Sequence, residues 1–216
     1  AIAAVAAGEV ACEVDQLAAV IEPAFAQLPF SSQWEAQRQW QRAQADLARF
    51  VQWCHEVPHA DVAGEVPFDI EVPVADSDER SHQVRLTGSV DLVVAESEHT
   101  ARVVDFKTGA AVPSVREVAE NTQLGVYQLA MQEADEQVST SGGSLVFLAK
   151  GVGKGGVRPT ERSQGPLQDR TWLDVQLAAA AGTLADERIV ATPGRACANC
   201  DFQAMCPAWS DGEWIE

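Results

Sequence analysis

The predicted fold depends on two stretches, Leu86-Thr-Gly-Ser-Val-Asp-Leu-Val-Val94 and Val103-Val-Asp-Phe-Lys-Thr-Gly109. The first belongs to a segment, 83–95, in which apolar residues recur at every second position: Val84, Leu86, Val90, Leu92 and Val94. This period is typical of a strand with one buried face. Residues 65–74 show the same alternation, and 102–107 form a third short apolar segment. Their close spacing predicts an antiparallel meander of three strands.

The segments around this meander are predicted mostly as helices. Residues 1–57 contain two helical patterns that separate near Pro29, with Ser31 or Ser32 capping the second. Ser114 and Glu117 form a capping box that opens a helix to about residue 136. A fourth strand at 144–149, a glycine-rich loop to about 165 and a helix from 169 to about 189 follow. Prolines within the first strand, Pro67 and Pro73, indicate an edge or bulged position.

The order of these elements predicts a mixed α/β fold. The elements run ααβββαβα, so a helix crosses between the third and fourth strands. The sequence shows no internal repeat and no linker long enough to separate two domains. We therefore expect one domain over 1–216, with a helical part at 1–57, a core at 60–190 and a cysteine segment at 191–216.

Composition excludes several classes of protein. The 216 residues are 46% hydrophobic and 22% charged, which excludes a disordered or fibrous chain. No apolar run is long enough to span a membrane, and the net charge of −17 argues against a surface that attracts nucleic acid everywhere. This net charge does not exclude a nuclease whose substrate is delivered by a partner. One base-rich segment, 150–162, either contacts phosphates or is an exposed loop made soluble by its charges.

Two carboxylates and one amine are expected to meet on neighbouring strands. Asp91 points away from the apolar face of its strand, and Asp105 and Lys107 share one face, roughly 7 Å apart along the chain. Two close carboxylates repel each other, and a divalent cation such as Mg²⁺ removes that conflict. Such an ion polarises a phosphodiester and acidifies bound water. The alternative is that Asp105 and Lys107 form an ordinary solvated face.

The order of four motifs resembles a known family. Gly88-Ser-Val-Asp91, Asp105-Phe-Lys107-Thr-Gly109 and Gln123-x3-Tyr127, followed by the cysteine segment, resemble the RecB-type branch of the PD-(D/E)XK nucleases. The resemblance covers roughly residues 60–210. It implies a restriction-endonuclease-like core, a central mixed sheet flanked by helices, with a C-terminal cysteine staple.

The resemblance also implies roles for individual residues. Asp91 and Asp105 would bind Mg²⁺ or Mn²⁺, with the backbone carbonyl of Phe106 as a third ligand, and Lys107 would be the catalytic lysine. Glu65 stands where the family often has an acid on the first strand.

A pair of helical residues completes the implied site. Gln123 and Tyr127 are four residues apart on one helix face. The resemblance implies that they contact DNA or brace the site. From spacing alone, the alternative is that Tyr127 is simply a buried tyrosine that forms a hydrogen bond with a neighbouring residue.

The cysteines predict a structural metal site. Cys197-x2-Cys200-x5-Cys206 indicates metal or iron–sulfur ligation in a reducing compartment, because a disulfide framework is not expected in a chain of this kind. Within the resemblance the expected cofactor is a [4Fe–4S] cluster, and structural Zn²⁺ is the alternative. Cys12 or Cys54 could supply a fourth thiolate, or both are buried thiols.

Two features of the family are not visible in the chain. The family has a histidine ligand in a G-x3-H motif on its first helix, and an upstream cysteine. The opening residues, 1–8, resemble the sequence just after that histidine. We therefore expect the chain to have been cut close to it.

The resemblance is strongest to the nuclease domain at the C-terminus of AdnA/AdnB or AddB-type helicase–nucleases. It implies a cytoplasmic, metal-dependent DNA exonuclease that acts in double-strand-break end resection and recombinational repair. Its partners would be DNA, as single strands delivered by a helicase motor, and the helicase domain or subunit itself, with no membrane. The alternative is a catalytically inactive nuclease-fold scaffold that guides DNA inside a helicase complex. A zinc-stapled protein-interaction domain is a third hypothesis.

Overall fold

A mixed five-stranded sheet forms the centre of the molecule. The structure, a computed structural model, describes residues 2–57, 61–75, 81–185 and 191–208. The strands lie side by side in chain order, and all neighbours are antiparallel except the third and fourth, which are parallel. The strands are β1 Val62–Ala75, β2 Ser81–Ser97, β3 Thr100–Lys107, β4 Ser139–Val152 and β5 Arg158–Gln164. The predicted meander, the edge position of the first strand and the helical crossover are confirmed.

Helices cover both faces of this sheet. On one face lies the 24-residue α3, whose N-cap Ser32 accepts a hydrogen bond from the backbone N–H of Glu35. Phe50 and Trp53 of α3 pack on the sheet residues Val104 and Val146. The helices are α1 Ile2–Ala6, α2 Val14–Phe25, α3 Gln33–Glu56, α4 Val115–Ala119, α5 Thr122–Ala134 and α6 Thr171–Ala185. None of these described helices combines the length and apolar composition needed to cross a membrane.

The predicted helix after the capping box is two helices. The capping box of Ser114 and Glu117 is present, but α4 ends at Ala119 and α5 begins after Asn121. The Asn121 side chain accepts a hydrogen bond from the N–H of Leu124 and caps α5. The Gln164 side chain donates to the carbonyl oxygens of residues 118, 119 and 121. A distant glutamine therefore stabilises a break that the local sequence does not show.

The fifth strand replaces part of the predicted glycine-rich loop. Residues 158–164 pair with β4, although their sequence has no apolar alternation. Thr160 and Gln164 are the polar residues that this strand buries. The following helix begins at Thr171, where the Asp169 side chain accepts from the N–H of Thr171. Residues 186–189 of the predicted helix lie outside the described residues.

The β1–β2 ribbon changes face halfway along its length. Val84, Leu86 and Val90 pack with α5 and α6, whereas Leu92 and Val94 pack with α3. The prediction that these five side chains share one face is wrong.

The change of face coincides with an irregular backbone at Glu65. Glu65 has a left-handed φ of 54° and lies across from Asp91, between the pairs Gly64–Leu92 and Val66–Val90. At this irregularity the two-residue alternation of apolar side chains along the ribbon is interrupted, next to Asp91.

A buried polar network joins α5 to the loop after β5. Gln128 is fully buried, and its amide nitrogen donates to Gln164 Oε1 at 2.9 Å. Its carbonyl oxygen accepts from Thr140 Oγ1 and from the N–H of Leu167, at 2.8 and 2.9 Å. Every polar atom of this side chain is thus paired, which removes the usual penalty of burying an amide.

We expect Gln128→Leu to lower the free energy of unfolding by about 1–3 kcal/mol, because the substitution leaves buried donors and acceptors unpaired. Urea denaturation measures the change. Gln83→Leu, at an exposed position of β2, is the matched control and is expected to shift stability by far less. Equal stability of both variants would contradict the network's role.

Candidate active site

The site begins where β2 and β3 separate. The backbone pairing between β2 and β3 ends at Leu92 and Val104. Asp91 and Asp105, which come next toward the site, are therefore not part of the β2–β3 ladder. Asp91 Oδ2 then accepts a hydrogen bond from the N–H of Phe106 at 2.8 Å. This bond replaces a ladder bond and holds the half-buried Asp91 side chain beside β3. Asp91 and Asp105 are thereby brought together.

Asp105 is a buried carboxylate with unused bonding capacity. It is 3% exposed, and Lys107 Nζ lies 2.8 Å from its Oδ2. Apart from this ion pair, Oδ2 has no hydrogen-bond partner among the described residues. Burial raises the pKa of Asp105; Lys107 opposes this shift, and the nearby charge of Asp91 adds to it.

Lys107 is held by α5. Its Nζ donates to Gln123 Oε1 at 2.7 Å, and Gln123 Nε2 donates to the Tyr127 hydroxyl at 2.9 Å. The predicted helix face of Gln123 and Tyr127 therefore points at the predicted lysine. Tyr127 is 9% exposed, and burial is the main cause of its raised pKa. Asp105, Lys107, Gln123 and Tyr127 thus form a chain of side-chain contacts, which Asp91 approaches through the backbone N–H of Phe106.

Gly88 supports this group through an aromatic contact. It lies across from Phe68, and a Cβ at Gly88 would come within 2.8 Å of the Phe68 ring. That ring makes an edge contact with Tyr127, with ring centroids 5.9 Å apart. The glycine of the first motif thus makes room for the ring that supports Tyr127. Sequence analysis missed Phe68, which looked like an ordinary apolar strand residue.

The site suits one hard cation coordinated in part by water. The described residues contain no group of three His, Cys, Asp or Glu side chains that could bind a metal. Mg²⁺ commonly takes only one or two carboxylates and keeps several waters. Asp91 and Asp105, whose Oδ2 has an ion pair with Lys107 and no hydrogen-bond partner among the described residues, fit that requirement. The Phe106 carbonyl remains a predicted ligand.

Phe106 anchors the opposite face of β3. Its ring makes edge contacts with Phe50 and Trp53 of α3, at centroid distances of 5.2 and 5.0 Å. These contacts fix the backbone between Asp105 and Lys107, which fixes the spacing of the site.

The cysteines do not form a ligand set in the described residues. Cys197 and Cys206 are half-buried and Cys200 is exposed, and they are not part of any three-ligand group there. Cys54 of α3 is buried in the apolar core, the partly buried Cys12 packs against that core, and burial raises the pKa of both thiols. This placement favours buried thiols over a fourth cluster ligand.

The base-rich segment is partly engaged in internal contacts. Arg158 pairs with Glu56 at 2.6 Å, and Arg162 donates to the carbonyl oxygen of Pro113 at 3.2 Å. Lys150 and Lys154 are exposed. Two of the four cationic side chains of this segment, Arg158 and Arg162, are therefore engaged in contacts within the fold.

The family model described as the PD-(D/E)XK nuclease superfamily matches residues 4–207. The chain belongs to the PD-(D/E)XK nuclease superfamily. Membership agrees with the mixed sheet and its flanking helices, which confirms the predicted restriction-endonuclease-like fold. Members of this superfamily are generally metal-dependent nucleases, so membership indicates a nuclease. A solved structure described as the crystal structure of SSO0001 is similar, with 14% identity and a TM-score of 0.44 over 87% of this chain and 92% of that one. No curated protein sequence matches the chain.

The nuclease site can be tested through its tyrosine, because Tyr127 is the only tyrosine in the sequence. The charges of Asp105, Asp91 and Glu65 all disfavour its phenolate, in addition to burial. We expect Asp105→Asn to lower the pKa of Tyr127, while burial keeps it above the ordinary value. A near-ultraviolet absorbance titration measures the tyrosinate directly.

Asp69→Asn is the control for this titration, because Asp69 is exposed on β1 and pairs with Arg85. It should leave the Tyr127 titration unchanged. Identical curves for Asp105→Asn and the wild type would show that the two side chains are not neighbours.

Proposed function

We propose that this chain is a Mg²⁺- or Mn²⁺-dependent deoxyribonuclease of the RecB branch, with Asp91 and Asp105 as its metal ligands. The observation that supports this most is Asp105: a buried carboxylate whose Oδ2 has an ion pair with Lys107 and no hydrogen-bond partner among the described residues, beside the second carboxylate of Asp91. Burying such a group carries a cost in stability, which a cation-binding role explains.

The side chains of the site have distinct roles in this proposal. A bound cation would polarise the phosphodiester and lower the pKa of a bound water molecule. The Lys107 ammonium has three donors, of which one is used by Gln123 and one points toward Asp105. The third can hold the attacking water or a phosphate oxygen, where it stabilises developing negative charge.

Gln123 and Tyr127 are proposed to brace the site rather than to contact DNA. Tyr127 is nearly buried and accepts a hydrogen bond from Gln123, whose own oxygen is taken by Lys107. Together they fix the direction of the amine. Phe68 and Gly88 support them from the β1–β2 ribbon.

The wider function is inferred from the motif order. We propose that residues 1–216 act as one exonuclease domain of a cytoplasmic helicase–nuclease in end resection and recombinational repair, where a motor delivers single strands. The charge of −17 supports delivery over free capture of DNA. A [4Fe–4S] cluster, or structural Zn²⁺, at Cys197, Cys200 and Cys206 is proposed from their spacing alone. A visible absorption that dithionite bleaches would distinguish cluster from zinc.

Degradation of single-stranded DNA with Mn²⁺, by the intact parent protein, tests the proposed activity. We expect Asp105→Asn and Lys107→Ala to reduce the rate by about a hundredfold or more, because each removes charge stabilisation at the reacting phosphate. Asp69→Asn should retain the wild-type rate. Undiminished activity of Asp105→Asn would overturn the assignment.

A non-catalytic scaffold is the second candidate. The strongly negative net charge of −17 favours it. Calorimetry distinguishes the two candidates, because a nuclease should take up Mn²⁺ with affinity that Asp105→Asn abolishes. No binding heat from the wild-type chain would favour the scaffold.

A further inference from the structure

A groove of about 830 Å³ opens on the α3 side of the sheet. Its walls come from α2, α3 and the segment between them, and its floor includes Thr108, Ala110 and Ala149. Thr108 directly follows Lys107 in the chain. The groove therefore reaches the end of β3 one residue after Lys107, whereas the Lys107 side chain lies on the α5 side of the sheet.

One wall of the groove is aromatic. Phe25 and Phe30 line it, with ring centroids 5.1 Å apart, and Trp40 supports Phe25 from behind at 4.9 Å. Both phenylalanines are half-buried, so each keeps part of its ring open to the groove. Nucleobases stack on such surfaces with little dependence on sequence.

The charge of the groove is opposite to that of the whole chain. Its lining contains Arg42, Arg49 and a single acid, Asp46, in a chain with 32 acids and 15 bases. Arg49 pairs with Asp46 at 3.1 Å, which leaves the exposed Arg42 as the cation available to a ligand.

Two lysines extend this positive region. Arg49 also donates to the carbonyl oxygens of Leu148 and Gly156, at 2.8 and 2.9 Å. These bonds hold the turn after β4 next to the groove. Lys154 is exposed on that turn, and Lys150 is exposed near the end of β4, directly after the floor residue Ala149. Cations thus flank a groove that has an aromatic wall.

We propose that this groove binds a single strand of DNA whose path continues around the end of β3 to the site, with phosphates on Arg42 and Lys150 and bases against Phe25 and Phe30. The inference rests on the proposed nuclease function, because it names the path of that enzyme's substrate. A duplex is disfavoured because its bases are stacked on each other and hide the faces that an aromatic wall would contact.

Fluorescence anisotropy of a labelled oligodeoxythymidylate, in EDTA to prevent hydrolysis, measures the binding. We expect Arg42→Glu to weaken affinity by about tenfold or more and to flatten its salt dependence. Phe30→Leu, which keeps apolar volume but removes the aromatic face, should weaken it several-fold. Arg85→Glu makes the same charge change on the distant β1–β2 ribbon, where Arg85 pairs with Asp69, and is the control.

Each outcome decides between the groove and the catalytic proposal. Equal affinity of Arg42→Glu and Arg85→Glu, or no binding by the wild type, would overturn the groove. Duplex DNA bound as tightly as the single strand would overturn the strand preference. Asp105→Asn should bind the oligonucleotide like the wild type while losing hydrolysis. Groove variants that lose affinity in a protein without hydrolytic activity would support the groove and reject the nuclease.

Discussion

The hydrogen bond from the Phe106 N–H to Asp91 Oδ2 is the contact on which the site depends. It forms where β2 and β3 stop pairing, and it ties a side chain of one strand to the backbone of the other. Without it, Asp91 would be free to turn toward solvent. The aromatic contacts of Phe106 with α3 immobilise the donor, so the hydrophobic core sets the position of a polar group.

The architecture around this contact has two halves with different tasks. The α3 half supplies packing that fixes β3 and contains the aromatic groove. The α5 half supplies the polar chain from Lys107 through Gln123 to Tyr127. The β1–β2 ribbon joins them, because its apolar side chains move from one half to the other near Glu65.

Much of the fold was predictable, because it follows from local periodicity. The three-strand meander, the Ser32 cap and the crossover helix each have a signal within a few residues of sequence. The convergence of Asp91, Asp105 and Lys107 was also predictable from strand alternation and the motif resemblance. Their ligand roles remain predictions.

The features that sequence analysis missed depend on distant partners. β5 lacks alternation because its pairing with β4 and its buried polar side chains hold it in place. The break before α5 depends on Gln164, which comes more than forty residues later. The change of face coincides with the left-handed φ of Glu65. Nothing in the local sequence marks this glutamate for that backbone conformation. Long-range hydrogen bonds and single dihedral angles leave no periodic signal.

The ion pair of Lys107 and Asp105 has a consequence for the resting enzyme. A buried anion is not tolerated without a positive neighbour, and here that neighbour belongs to the same strand. The ammonium thus acts as a resident counterion, and the core does not depend on an outside cation to remain folded. If Asp105 held a divalent cation, that cation would share Oδ2 with the Lys107 ammonium, which Gln123 holds in place on its other side.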